Sequence, residues 1–313
     1  MHSEIAAVTL LTNWAASVGR GWITADLRRG SPKRLSVGLL LAGCLAARLA
    51  GAHGDLHGQI ASVTQRLQSA PSAELFLKRG ELHRAHGECD AALKAFDRAA
   101  ELDPALDAVH LCRGQTLFER GRLAPAKAAL DEFLRRRSDH ALGHLSRARV
   151  LAALKDFGAA TADYDCAIQL STELLPEFFV ERASLLVAAG KPALALSGLD
   201  AGLEQLGPLP TLQLQAIEIE LGCQHFDAAL RRLDTLLASA QRKESWLARR
   251  GDILAQAGRL SDAQRAWADA LAALELLPEK ARNAQVIQQL EARLRQATGP
   301  ITQGQANAEN SAR

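Results

Sequence analysis

Residues 73–104 read AELFLKRGELHRAHGECDAALKAFDRAAELDP. Small and apolar residues recur at helical spacing through two stretches, interrupted at Gly87. With Gly80 as a register mark, equivalent marks follow at Gly114, Ala148, Ala183, Ile217 and Gly251, at intervals of 34, 34, 35, 34 and 34 residues. Twelve positions after each mark stands Ala: Ala92, Ala126, Ala160, Ala195, Ala229 and Ala263. Four further on stands a large residue: Phe96, Leu130, Tyr164, Leu199, Leu233 and Trp267. Three beyond that come Ala99, Phe133, Ala167, Gly202, Leu236 and Ala270. Each period therefore predicts a helical hairpin. Its turn falls near Gly87, Gly121, Lys155, Gly190, Gln224 or Gly258. Pro125 and Pro192 fall in the first turn of a second helix, where a missing N–H costs little. Pro104, Pro176, Pro208 and Pro278 fall between repeats, where helices should stop. One hairpin cannot bury its apolar face alone, so neighbours must stack.

Composition agrees. Aromatics are 4% of the 313 residues and only one Tyr is present, against 48% hydrophobic residues dominated by Ala and Leu. Strands favour β-branched and aromatic side chains, so an all-α fold is expected.

The period and its small–small–large pattern resemble the tetratricopeptide repeat (TPR) family over residues 73–278, in six repeats. Repeats one and six carry the resemblance best. Gly202 in repeat four and Ile217 in repeat five depart from the usual residue, and looser helix packing is expected at Ile217. The resemblance implies a solenoid, a right-handed superhelix of helical hairpins. Residues 53–72 carry Leu56, Ile60, Val63 and Leu67 in one stripe, and read as an N-terminal capping helix. Residues 279–297 read as a C-terminal capping helix, through Ala281, Ala284, Ile287, Leu290 and Leu294. Residues 298–313 are small and polar, and a disordered tail is expected.

The formal net charge is +2. Six of the 37 basic residues and two of the 35 acidic ones lie in residues 1–52, leaving 31 basic against 33 acidic. That nearly neutral body has no electrostatic footprint for nucleic acid. Basic residues 27–34, an apolar run at 35–47 and Ala50-Gly51-Ala52 read as an export signal cleaved after Ala52. Leu41-Ala42-Gly43-Cys44 resembles a bacterial lipobox, which would instead lipidate Cys44. Residues 1–26 do not fit a signal and read as an over-extended start. The expected location is the periplasm or outer envelope. Membrane contact would come only through a lipid anchor or an uncleaved signal.

Candidate chemistry is sparse. His83-x-x-His86-x-x-Cys89 has metal-like spacing but no fourth ligand nearby, and reads as packing. His140 and His144 lack a third ligand, and His144 and His110 hold equivalent repeat positions, again a packing signature. Cleavage after Ala52 would leave His53 as an N-terminal amine and imidazole, and His57 could join it on copper, the sharpest form of a second reading as an accessory or assembly factor for an envelope or metal-handling complex. Cys89, Cys112, Cys166 and Cys223 share no pairing interval and read as buried free thiols. No phosphate loop, HExxH or nucleophile-elbow string occurs, so the sequence predicts neither catalysis nor a cofactor.

The resemblance further implies that the first helix of each repeat lines a concave groove. Leu77, Glu81 and Arg84 are then expected to face it in repeat one. Leu111, Gln115 and Phe118 follow in repeat two, and Leu145 and Arg149 in repeat three. Val180, Val187, Leu214 and Leu221 come from repeats four and five, with Ser184, Glu218 and Asp252 beside them. The Lys/Asn/Arg cluster that grips a C-terminal carboxylate in chaperone-binding members is missing. A mostly aliphatic groove suits a segment of another protein, with Phe118 as its anchor.

Overall fold

The computed structural model describes residues 56–299. They hold fifteen helices and no strand. Ahead of the repeats lies α1 (56–69). The six hairpins are α2 (Ala73–Ala85) with α3 (Cys89–Leu102), α4 (Ala108–Glu119) with α5 (Leu123–Arg136), α6 (Ala141–Ala153) with α7 (Phe157–Leu170), α8 (Pro176–Ala188) with α9 (Pro192–Leu206), α10 (Pro210–Gly222) with α11 (Phe226–Ser239), and α12 (Glu244–Gln256) with α13 (Leu260–Glu275). Last come α14 (Glu279–Arg282) and α15 (Gln285–Ala297). The chain divides into two compact bodies after Thr172. The first holds repeats one to three, the second repeats four to six.

The hairpin turn is the same device six times. The seventh residue after each mark has positive φ: Gly87, Gly121, Lys155, Gly190, Gln224 and Gly258. The next amide reaches back five residues to a carbonyl of the first helix, as in Glu88 N–H to His83 O at 2.8 Å and Asp156 N–H to Leu151 O at 2.9 Å. This closes orphan carbonyls at the helix end and reverses the chain. Helix starts are set by side chains and prolines. Ser72 Oγ accepts from the Leu75 amide at 3.3 Å, and Asp156 caps α7 through the Ala159 amide at 3.2 Å. Pro176, Pro192 and Pro210 open α8, α9 and α10. Pro176 thus starts a helix as well as lying between repeats, because its missing N–H falls on an orphan position.

Packing follows the register. A Cβ built on Gly80 would lie 2.2 Å from the Phe96 ring, and one on Gly114 2.6 Å from Leu130 Cγ. The mark and the large residue sixteen positions later therefore touch across each of these hairpins. Ala92, Phe96 and Ala99 of α3 then pack on Val109 and Cys112 of α4, which joins repeat one to repeat two. Leu111 and Leu117 of α4, Leu130 and Phe133 of α5 and Val150 of α6 continue the core. In the second body, Ile217 lies buried among Leu233, Ile253 and Leu254, so the larger mark is absorbed within a closed core. Gly202 is required where it stands: a Cβ there would lie 2.8 Å from Phe179 and 3.1 Å from Leu212.

Both ends are covered. Val63 and Leu67 of α1 pack with Leu82 of α2. Ile287 and Leu294 of α15 pack with Ala248, Ala270 and Leu274. Residues 279–297 do not form the single helix expected: Ala284 is extended at φ −67 and ψ 132, which separates α14 from α15. The expected export signal, the lipobox at Cys44, His53 and the tail from residue 300 lie outside the described residues. No described helix is long and apolar enough to cross a membrane.

Candidate functional site

The residues expected to line a groove fall into two groups. Leu111, Leu145 and Val180 are only 8%, 4% and 5% exposed, so they are not available to a partner. All three stand three positions before their marks, and for Leu111 this is a seam, where it shares a cluster with Val150 of the next first helix. Leu77, Leu214 and Leu221 are half-buried against neighbouring core clusters. Phe118 is also half-buried, packed on the cluster of Leu111, Leu117 and Leu130 rather than standing free as an anchor. Val187 remains exposed.

The polar members are engaged across repeats. Glu81 accepts from Cys112 Sγ at 4.0 Å, Gln115 Nε2 donates to Ser146 Oγ at 3.1 Å, and Arg249 donates to Glu218 at 2.5 Å. Each pair joins the residue after one mark to the residue two before the next. Asp252 keeps the pattern with α15, accepting from Arg293 at 2.9 and 3.0 Å, and also takes the Trp267 Nε1–H at 3.0 Å. So α15 occupies the place of a seventh first helix. Arg84 reaches Glu119 at 2.8 Å, and Lys78 lies 3.5 Å from Glu81. Arg149 and Ser184 are half-buried, and the Ser184 hydroxyl donates to the Val180 carbonyl at 2.9 Å.

A second ladder joins each of three second helices to the following first helix: Asp97 to Arg113 at 3.0 Å, Asp131 to Arg147 at 3.0 Å, and Asp234 to Arg250 at 3.2 Å. Exposed pairs of this kind add little stability, but they hold long side chains in fixed places. Between α3 and α5, over α4, lies an open cleft of about 490 Å³. Apolar Leu93, Leu117, Ala128 and Ala129 line it together with Asp97, His110, Arg113, Arg122 and Glu132. Burial, with the nearby Arg136 and Arg113 charges, pushes the His110 imidazole below its ordinary value.

Two buried polar clusters were not visible in the sequence. In repeat three Asp163 accepts from His144 and from Arg147. In repeat five Glu220 accepts from Arg232 Nε at 2.7 Å, and Arg232 also holds Asp200 at 2.7 and 3.1 Å. Glu220 and Asp163 are each 4% exposed, so these are interior charges.

The metal-like motif is resolved into contacts. His83 Nδ1 meets one oxygen of Glu88 at 2.6 Å, and His86 Nδ1 lies 3.2 Å from the other. The His57 ring packs against the His86 ring at a tilt of 52°, centroids 4.2 Å apart. No group of three or more His, Cys, Asp or Glu side chains among the described residues is placed to hold a metal ion. Cys89, Cys112, Cys166 and Cys223 are free thiols, but only Cys112 is buried; Cys89 and Cys166 sit half-exposed on helices and Cys223 half-exposed in the turn after α10.

These features define a protein of stacked helical hairpins, with side-chain ties between the first helices of repeats one and two, two and three, and five and six. The chain belongs to the tetratricopeptide repeat family, whose profile matches residues 77–124, 111–172 and 218–281, together about half of the sequence. The unmatched stretch between 172 and 218 contains Gly202 and Ile217, the departures noted above. Among solved structures, it is similar to the C-terminal part of a TPR repeat-containing protein from Cytophaga hutchinsonii: 15% identity, TM-score 0.59, 77% of this chain and 98% of that one covered. It is likewise similar to a tetratricopeptide repeat protein from Parabacteroides merdae: 15% identity, TM-score 0.50, 77% and 93% covered. These likenesses are of fold. A comparison with curated proteins finds no match.

Proposed function

We propose that this protein is a non-catalytic scaffold that receives a segment of a partner protein on the first-helix faces of its repeats. The observation that carries the reading is the ladder of inter-repeat bonds: Glu81 to Cys112, Gln115 to Ser146 and Glu218 to Arg249. It fixes the side chains of that face before any partner arrives, and preorganisation lowers the cost of binding. Membership of a repeat family built on extended faces supports the same reading. A photo-crosslinking residue placed at Val187, exposed and outside the ladder, should capture one partner protein. The same residue at Lys94, exposed on a second helix, should not. Equal capture from Lys94 would overturn the assignment of the face.

The scaffold reading carries a location with it: export to the cell envelope, supported by the basic run at 27–34 and the apolar run at 35–47. The mass of the native N-terminus tests this. Cleavage after Ala52 leaves His53 first, lipidation leaves Cys44 first, and an intact 1–52 on a cytosolic protein would refute export.

A further inference from the structure

His110 and Arg113 of repeat two stand 34 residues before His144 and Arg147 of repeat three. At these positions the other repeats have Phe76 with Arg79, Phe179 with Arg182, Gln213 with Ala216, and Leu247 with Arg250. The histidine–arginine pair is therefore particular to repeats two and three. In repeat three the pair shares one carboxylate. Asp163 accepts from Arg147 Nε at 2.7 Å and Nη2 at 2.8 Å, and its Oδ1 lies 2.9 Å from His144 Nδ1. A guanidinium that grips both oxygens in this way makes a strong, directional site for a carboxylate. The remaining edge of Arg147 goes to Asp131 of α5, with Nη1 at 3.0 Å.

Repeat two keeps this arrangement without the shared carboxylate. Arg113 lies 3.0 Å from Asp97 of α3, as Arg147 does from Asp131. The residue 34 before Asp163 is Ala129. Ala129, His110 and Arg113 all line the open cleft of about 490 Å³ between α3 and α5. Among the described residues Arg113 has no ion pair besides Asp97, and the His110 ring makes no hydrogen bond. The donors that hold Asp163 in repeat three thus line an open space in repeat two. The charges of the cleft leave room for an anion. Asp97 is met by Arg113, and Glu132 accepts from both Arg135 and Arg136, with Arg136 also reaching Asp107 at 3.4 Å. Arg122 is exposed and has no ion pair among the described residues. The cleft is also less polar than its counterpart: Leu93 stands where repeat three has Lys127 bonded to Asp131 at 2.7 Å.

We propose that this cleft binds an aspartate or glutamate side chain of a partner protein together with an aliphatic residue beside it. The carboxylate takes the place over Ala129 that Asp163 fills in repeat three. Arg113 grips it, a neutral His110 donates its one N–H, and Arg122 adds attraction. The aliphatic neighbour rests on Leu93 and Pro125 of the same cleft. None of the residues expected on the first-helix face is used, so this site stands whether or not that face receives a partner.

Titration of ¹⁵N-labelled full-length protein with three probe peptides tests this. The first is leucine–glutamate–leucine blocked at both ends, the second the same peptide with glutamine, and the third dileucine with a free C-terminal carboxylate. The glutamate peptide should shift the Arg113 Nε–H and Ala129 amide signals saturably. Arg147 Nε–H, already given to Asp163, should stay where it is. The glutamine peptide should bind roughly tenfold more weakly, for want of the charged hydrogen bonds. Ala129→Asp supplies the carboxylate from within. It should move the Arg113 Nε–H signal toward that of Arg147 and weaken the glutamate peptide by at least roughly tenfold. Equal binding of the first two peptides, no response at Arg113, or undiminished binding to Ala129→Asp would overturn the proposal. Tightest binding of the third peptide would give the site to a chain end and overturn the side-chain assignment. Should Ala129→Asp fail to fold, the comparison of peptides on the wild type decides alone.

Discussion

Gly251 lies directly beneath the indole of Trp267: a Cβ on Gly251 would stand 2.3 Å from both Cδ1 and Nε1 of the ring. The contact sets the spacing of α12 and α13, as Gly80 with Phe96 sets that of α2 and α3. Gly251→Val should overpack the crossing and cost about 1–3 kcal/mol. Adding Trp267→Leu should recover part of the loss, because Leu199 stands opposite Ala183 at the same positions of repeat four. A denaturant double-mutant cycle measures the coupling. Strictly additive effects would show that the two residues do not share the crossing.

Lys155 and Gln224 occupy the turn position held by glycine in the other four repeats, with φ of 63 and 60. An L side chain in that region costs about 1–2 kcal/mol, partly offset for glycine by its greater chain entropy. Lys155→Gly and Gln224→Gly should each stabilise by about 0.5–1 kcal/mol. Raised midpoints with unchanged m-values are the expected result. Gly121→Ala should do the reverse, since its φ is 71.

The hairpins, their turns and the small-over-large crossings were legible because the 34-residue period repeats them, and repetition reveals a register that one hairpin would not. The direction of each first-helix side chain was less legible. A first helix here touches its own second helix and the helices of adjacent repeats, so apolar spacing alone does not separate a seam from an open face. Leu111 and Leu145 were assigned to the face; Leu111 lies in the seam and Leu145 is buried. The buried charges were hidden for a related reason. Asp163 and Arg232 look like ordinary polar residues of a solvated helix, yet their position fifteen after the mark points inward. The signal was available in register: Glu220 stands where other repeats have Leu117, Leu151, Leu186 and Leu254.

Cys112 should be the least reactive thiol. Burial, with Glu81 adding to it and Arg84 opposing, pushes its thiol up to about 11. The thiolate is the attacking species, so little of Cys112 is reactive near neutrality. Cys89, Cys166 and Cys223 are partly exposed. Under native conditions iodoacetamide should modify these three well before Cys112, with peptide mass spectrometry following each site. In denaturant the four rates should converge. Early native modification of Cys112 would mean that the α2–α4 seam opens readily.

Glu220 and Arg232 make the asymmetric prediction. Glu220 Oε2 is buried with no hydrogen-bond partner among the described residues, while Oε1 takes Arg232. Arg232 has a second, more exposed partner in Asp200. Removing the arginine leaves a buried carboxylate without its counter-charge, and breaking such a pair costs about 3–5 kcal/mol. Removing the carboxylate is different. Glu220→Leu places in repeat five the residue that four other repeats already bury at this position, and Arg232 keeps Asp200. Exchange of a buried charge for a fitted apolar side chain is often neutral or stabilising. Arg232→Leu should therefore be strongly destabilised, Glu220→Leu at least as stable as the wild type, and the double variant close to Glu220→Leu. Urea unfolding midpoints of the three proteins give the order. If Glu220→Leu loses as much as Arg232→Leu, the pair stabilises repeat five as a unit and the interior charge is not a net cost.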